Sequence, residues 1–141
     1  KAAHWLRQAA DTVAEAQYMY GRMAQSGRGV PANQKEARLW FARAASAGVL
    51  EARVALAEML INGNGGERMP EAAAQLFTQA AAAGHPGAMF ALGVLNQTGD
   101  GIAENQEEAL KWFTAAAKRG NEDARAYLDS RARVDHFTAA D

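Results

Sequence analysis

The sequence repeats itself every 36 residues, and no other feature narrows the possible folds as far. Gly48, Gly84 and Gly120 share this spacing, as do Ala16, Ala52, Ala88 and Ala124. Ala37, Ala73 and Ala109 form another column, followed by Phe41, Phe77 and Phe113, with Trp40, Leu76 and Trp112 just before them. The pairs Ala44–Ala45, Ala80–Ala81 and Ala116–Ala117 and the three G-x-G elements Gly27–Gly29, Gly63–Gly65 and Gly99–Gly101 complete the pattern. No insertion interrupts it between Val13 and Gly120. A period of this length describes a supersecondary unit that buries its apolar face only by stacking on copies of itself.

Each repeat reads as two helices, so the chain is predicted to be all-α. Ala37, Trp40, Phe41, Ala44, Ala45 and Gly48 fall at i, i+3, i+4, i+7, i+8 and i+11, one face of a helix. Asn33 with Glu36, and Asn105 with Glu108, are capping boxes at the start of such second helices. The middle repeat has Met69 at that point and Pro70 in the first helical position, where a missing N–H costs little. Gly48, Gly84 and Gly120 are expected to end these helices in a left-handed conformation.

The first helices carry Ala16, Tyr20, Met23; Ala52, Leu56, Met59; and Ala88, Leu92, Leu95 on their inner seams. Thr12 with Glu15 suggests a capping box for the first of them, and Pro86 a first-turn proline for the third. Gly21, Ala57 and Gly93 keep one helical position small, which implies close helix–helix approach. Residues 1–12 match a second helix whose partner is missing, so the chain is expected to begin within a repeat and to be part of a longer polypeptide. Complete repeats follow at 13–48, 49–84 and 85–120. At 121–134 a fourth first helix starts in register, but Arg131 replaces the apolar residue and Asp135 and Phe137 replace the glycines. That segment is predicted to be a C-terminal cap, with a loose tail at 135–141.

Composition removes several function classes. Fifteen basic and sixteen acidic residues give a net charge of −1, which argues against an electrostatic grip on nucleic acid or anionic membrane. No apolar run approaches the ~18 residues of a membrane span. Cysteine is absent, so disulfides, thiol nucleophiles and thiolate metal sites are excluded. His4, His85 and His136 are too far apart to form a helical metal pair. His85 reads as a turn residue. The G-x-G elements have neither a preceding strand nor a third glycine in register, so they are interhelix turns and not phosphate loops. No cofactor is expected, and no nucleophile–base constellation is present.

The pattern A-x-x-x-L-G through G-x-G-V/I to A-x-x-W-F-x-x-A-A-x-x-G resembles the Sel-one-like repeat (SLR) family, a relative of the tetratricopeptide repeat. Ala88, Leu92, Gly93, Gly99, Gly101, Ile102, Ala109, Trp112, Phe113, Ala116, Ala117 and Gly120 carry it in its fullest form. The middle repeat departs at Leu76, Gly66 and Met69, which places its turn geometry in question. The resemblance implies a right-handed α-α superhelix of antiparallel helix pairs, with first helices lining a concave face. It also implies an adaptor or scaffold role, frequently in bacterial periplasmic, secreted or envelope-signalling proteins. Some members are linked to slow β-lactam hydrolysis, but that branch is cysteine-rich and this chain is not.

Trp40 and Trp112 lie on the apolar stripe and are predicted to be core. Arg43, Lys111, Lys118 and Arg119 lie off it, on a solvated outer face. Opposite the inner seam of the first helices, at 100° per residue, fall Tyr18, Arg22 and Gln25; Val54, Glu58 and Ile61; and Phe90, Val94 and Gln97. That side of a surface helix should be polar, yet five of these nine are apolar or aromatic. They read either as packing against neighbouring first helices or as an apolar-floored groove for a partner protein or peptide. The function expected is a non-catalytic protein-interaction module. The alternatives are a structural spacer in a larger envelope or secreted protein and, less favoured, a cell-wall-active or β-lactamase-like enzyme.

Overall fold

The computed structural model describes residues 3–5 and 13–140, with side chains described through Val134. Residues 3–5 are helical, and seven further helices follow: α1 (Ala14–Ser26), α2 (Gln34–Ser46), α3 (Leu50–Asn62), α4 (Pro70–Ala82), α5 (Pro86–Thr98), α6 (Gln106–Lys118) and α7 (Glu122–Ala140). There is no strand among the described residues. Six of the seven are 13 residues long, so each 36-residue repeat becomes one helix pair. The chain divides into two compact halves, residues 1–76 and 77–141, with α4 passing from one to the other.

Second helices start and stop as their sequence dictates. Asn33 and Asn105 cap α2 and α6, their side-chain oxygens accepting from the backbone N–H of Glu36 and Glu108 at 3.0 and 3.1 Å. At the far end of α2, Gly48 takes φ 97°; its N–H donates to Ala45 O, and the Val49 N–H donates to Ala44 O. These two bonds satisfy carbonyls that the helix leaves open, and a side chain at that φ would be strained. The same pair of bonds closes α4 at Gly84 and His85 and α6 at Gly120 and Asn121.

First helices are capped less evenly. Val13 and Val49 precede α1 and α3 without any side-chain cap bond. Val13 holds the N-cap position of α1 and Glu15 lies inside its first turn; Thr12, the other half of the expected capping box, falls outside the described residues. His85 caps α5 through Nδ1, which accepts from Ala88 N at 3.0 Å. Asn121 caps α7 through Oδ1, which accepts from Ala124 N at 2.8 Å. Each of α1, α3 and α5 ends at the first glycine of its G-x-G, near φ 75°.

The middle repeat keeps the same turn despite its sequence departures, with Gly63 and Gly65 at φ 74° and 75° like their counterparts. Gly65 lies so close to the start of α2 that a Cβ there would run into the Gln34 carbonyl oxygen. Next to it, the Arg38 guanidinium donates to Glu67 O at 2.6 Å and lies directly against Gly66. The loop after α3 thus sits on the N-terminal turn of the preceding second helix, and glycine at both positions permits that approach.

In the first half, α1 packs on α2 and α2 on α3. Ala24, Ala37, Phe41 and Met59 form one buried cluster, Ala44, Ala45 and Ala52 a second, and Ala16, Tyr20 and Trp40 a third. In the second half, α5 packs on α6 and α6 on α7, around Leu92, Phe113 and Ala116. The three phenylalanines of the repeat column are all buried. The tryptophans diverge. Trp40 is buried, with its ring centroid 5.2 Å from Tyr20 and its Nε1–H donating to Glu36 at 3.3 Å. Trp112 is only half-buried, which corrects the expectation that it is a core residue. The position matching Tyr20 is Leu92, a smaller side chain with no ring to cover the indole.

α7 is 19 residues long and runs through Asp135, where α1, α3 and α5 stop at glycine. Helical backbone therefore occupies positions 135–140, where a loose tail was expected. An aspartate enters the left-handed region far less readily than glycine, and here the turn is not made and the helix continues. Asp129 replaces the small residue of Gly21, Ala57 and Gly93 and is exposed.

Candidate functional site

The nine first-helix positions behave differently in the two halves. In the first half, Tyr18 of α1 is half-buried, its ring 5.8 Å from that of Phe41, and it also packs on the Ala44–Ala45–Ala52 cluster. Arg22, one turn on, is exposed with its guanidinium carbon 5.9 Å from the Tyr18 ring centroid. That distance is at the outer reach of a cation–π contact. Gln25 is exposed, and its carbonyl accepts from Gln34 Nε2 at 2.9 Å. On α3, Val54 and Ile61 are half-buried and Glu58 is exposed. The Ile61 carbonyl accepts from Arg68 Nε at 2.7 Å. The first half thus presents half-covered apolar side chains beside exposed Arg22, Gln25 and Glu58.

In the second half the corresponding residues are largely taken up in packing. Phe90 has its ring 5.4 Å from Phe113, and Phe113 in turn lies 4.3 Å from Tyr127 of α7. Gln97 Nε2 donates to the Tyr127 hydroxyl at 2.9 Å, and its carbonyl accepts from Gln106 Nε2 at 3.1 Å. Val94 is half-buried. Sequence reasoning missed Tyr127, which joins Gln97 to the buried ring of Phe113. It stands in the column of Met19, Ala55 and Ala91, so an aromatic residue there was the available signal.

The outer face carries the cations expected of it. Lys111, Lys118 and Arg119 are exposed, and Lys111 pairs with Glu108 at 3.4 Å. Arg43 is exposed but not merely solvated, since its guanidinium lies 4.7 Å from the Trp40 ring centroid and helps cover it. Among the described residues no group of three His, Asp or Glu side chains is placed to hold a metal ion. No helix among them is long and apolar enough to cross a membrane.

Comparison with known proteins connects this geometry to a family. The Sel1 repeat family model matches residues 1–11, 14–49, 50–85 and 86–121, one residue out of phase with the helix pairs delimited by glycine. A search of curated proteins finds no match. Among solved structures, a Sel1 repeat protein from Oxalobacter formigenes aligns with a TM-score of 0.79 and 32% identity, over 89% of this chain and 95% of that one. The protein c5321, a protective antigen of uropathogenic Escherichia coli with an SLR fold, aligns at 0.85 and 29% identity. That alignment spans 92% of this chain but only 28% of the antigen. The cysteine-rich protein B of Helicobacter pylori shares the fold at 0.69 and 21% identity, over 90% and 97% of the two chains. With matches that tile residues 1–121 almost without a gap, and helix pairs of the same period, the chain belongs to the Sel1 repeat family.

Proposed function

We propose that the chain is a non-catalytic interaction module that holds a segment of a partner protein on its first-helix face, the face that the family resemblance makes concave. Sel1 repeats are generally interaction scaffolds without catalytic activity, which supports the coarser part of this reading. The observation that carries the finer part is the surface of the first half. There Tyr18, Val54 and Ile61 stay half-covered while Arg22, Gln25 and Glu58 stand exposed at the same angular position. An amphipathic helix or extended peptide recognises a strip of this kind through apolar contacts, with polar residues setting its register.

A spacer role is the second reading, and the second half favours it. Phe90 and Gln97 serve the packing around Phe113 and Tyr127, which leaves less of that surface available. The experiment is a pull-down from the native host, followed by titration of the recovered partner against two variant sets. Arg22→Ala and Glu58→Ala replace exposed side chains, so folding should survive, and affinity should fall by about 2 kcal/mol for whichever is a hot spot. Lys118→Ala and Arg119→Ala on the outer face should leave affinity nearly unchanged. Loss of binding only in the outer-face variants overturns the first-helix reading, and failure to recover a partner under any condition favours the spacer.

A further inference from the structure

The chain leaves α3 through Asn62-Gly63-Asn64-Gly65, two Asn-Gly pairs in succession, and no other asparagine of the sequence precedes a glycine. Such a pair is chemically weak. The backbone nitrogen after the asparagine can attack the side-chain carbonyl carbon, and glycine has no Cβ to hinder the approach. Attack requires that this nitrogen be free of its own hydrogen bond, and the ring that forms must be reached by water.

Both asparagines are exposed, but their following nitrogens differ. Asn62 is the last residue of α3, and the Gly63 N–H donates to Met59 O, which closes the helix. The Asn64 N–H donates to the same carbonyl at 2.9 Å. The next one, the Gly65 N–H, donates to no backbone carbonyl among the described residues. The fold therefore protects the first pair and leaves the second open. Asn33, Asn105 and Asn121 are held as helix caps, and each is followed by a long side chain, Gln34, Gln106 or Glu122.

We propose that Asn64 is a site of spontaneous deamidation and isoaspartate formation, and that its conversion lifts the loop off the start of α2. The Gly65 nitrogen loses its proton and bonds to Asn64 Cγ. The Cγ–Nδ2 bond breaks, and the departing amine takes up a proton and leaves as ammonia, which closes a succinimide. Water then opens the ring. Its addition at Cγ gives aspartate, and its addition at the main-chain carbonyl carbon gives isoaspartate. Either product adds a carboxylate to a chain of net charge −1. Isoaspartate also inserts one carbon into the main chain immediately before Gly65, which packs on the Gln34 carbonyl without room for a Cβ.

The test is to age the folded protein for weeks in warm neutral buffer and to map its peptides by mass spectrometry, with electron-transfer fragmentation to separate isoaspartate from aspartate. Asn64 should convert about tenfold faster than Asn62, the factor that one well-made hydrogen bond on the competing nitrogen supplies. In urea the two should convert at similar rates, which shows that the fold makes the difference. Asn64→Arg gives the loop the residue of the first repeat, where Arg28 precedes Gly29 at φ 77°. Aged wild-type protein should exchange amide hydrogens faster at the start of α2 than fresh protein, and the variant should not change with age. An unconverted Asn64, or an Asn62 that keeps pace with it in the folded protein, overturns the proposed site. Equal ageing of α2 in the wild type and the variant overturns the proposed loosening.

Discussion

The ring of Phe113 lies so close over Gly93 that a Cβ on the glycine would come within 2.8 Å of it. Phe41 and Gly21 make the same contact in the first repeat, at the same distance. The large residue of one column and the small residue of the other are thus two halves of one helix crossing.

Gly93→Ala should therefore destabilise the protein, although alanine is the better helix former by about 1 kcal/mol. Overpacking against a buried ring costs about 1–3 kcal/mol, enough to reverse the sign. Urea unfolding followed by circular dichroism measures the difference. A stabilised variant would show that Phe113 shifts freely, and the crossing would not be set by this pair.

Phe113→Ala should cost about 3–5 kcal/mol, because the ring is buried and touches both Phe90 and Tyr127. Half-buried Trp112 should cost clearly less on truncation, and exposed Lys111→Ala less than about 0.5 kcal/mol. Denaturant titration of the three variants orders them. Equal losses for Trp112 and Phe113 would mean that the indole is better covered than its exposure indicates.

Much of this was legible in the sequence. The Phe41 column, the Asn33 and Asn105 caps and the αL glycines follow from local rules that act within one or two turns. What escaped depends on neighbours that a repeat column does not encode. Trp112 matches Trp40 in register, but its cover comes from a different column, where Tyr20 has become Leu92. Gln97 looked available because its partner, Tyr127, lies on a helix outside the three regular repeats, and Phe90 because its ring contact with Phe113 crosses to the other helix of the pair. The valine before α1 likewise holds the cap position without any chemistry that a capping motif would reveal.

Asn96 is buried with its Oδ1 unbonded, while Nδ2 makes only a 3.5 Å contact with Ala103 O. The matching residues are Ala24 and Leu60, so the site tolerates an apolar side chain in the other repeats. Asn96→Leu should stabilise the protein by about 1 kcal/mol by removing a buried acceptor that has no donor. A rise in the thermal melting midpoint checks this. A fall would indicate a partner for Oδ1, such as an ordered water.

Gly65→Ala should be the most damaging of the glycine substitutions. It adds a left-handed alanine to a collision with the Gln34 carbonyl, and backbone cannot step aside as a side-chain end can. We expect a loss above about 2 kcal/mol. The accompanying change should be faster hydrogen exchange at the start of α2, on which the loop rests. Unchanged exchange there would separate the loop from the helix it covers.

Asp129 and Asp135 bear on how an array of this kind changes length over evolutionary time. A copied 36-residue segment inserted after Gly48 or Gly84 meets a small residue at the crossing and a glycine at the turn on either side, so it can be absorbed without further mutation. Joined to the far side of α7, the same copy would have to seat a phenylalanine on an aspartate and follow a helix that does not stop. Duplication at that edge is unproductive until both acidic residues revert. Gains and losses of whole repeats should therefore accumulate upstream of Asn121.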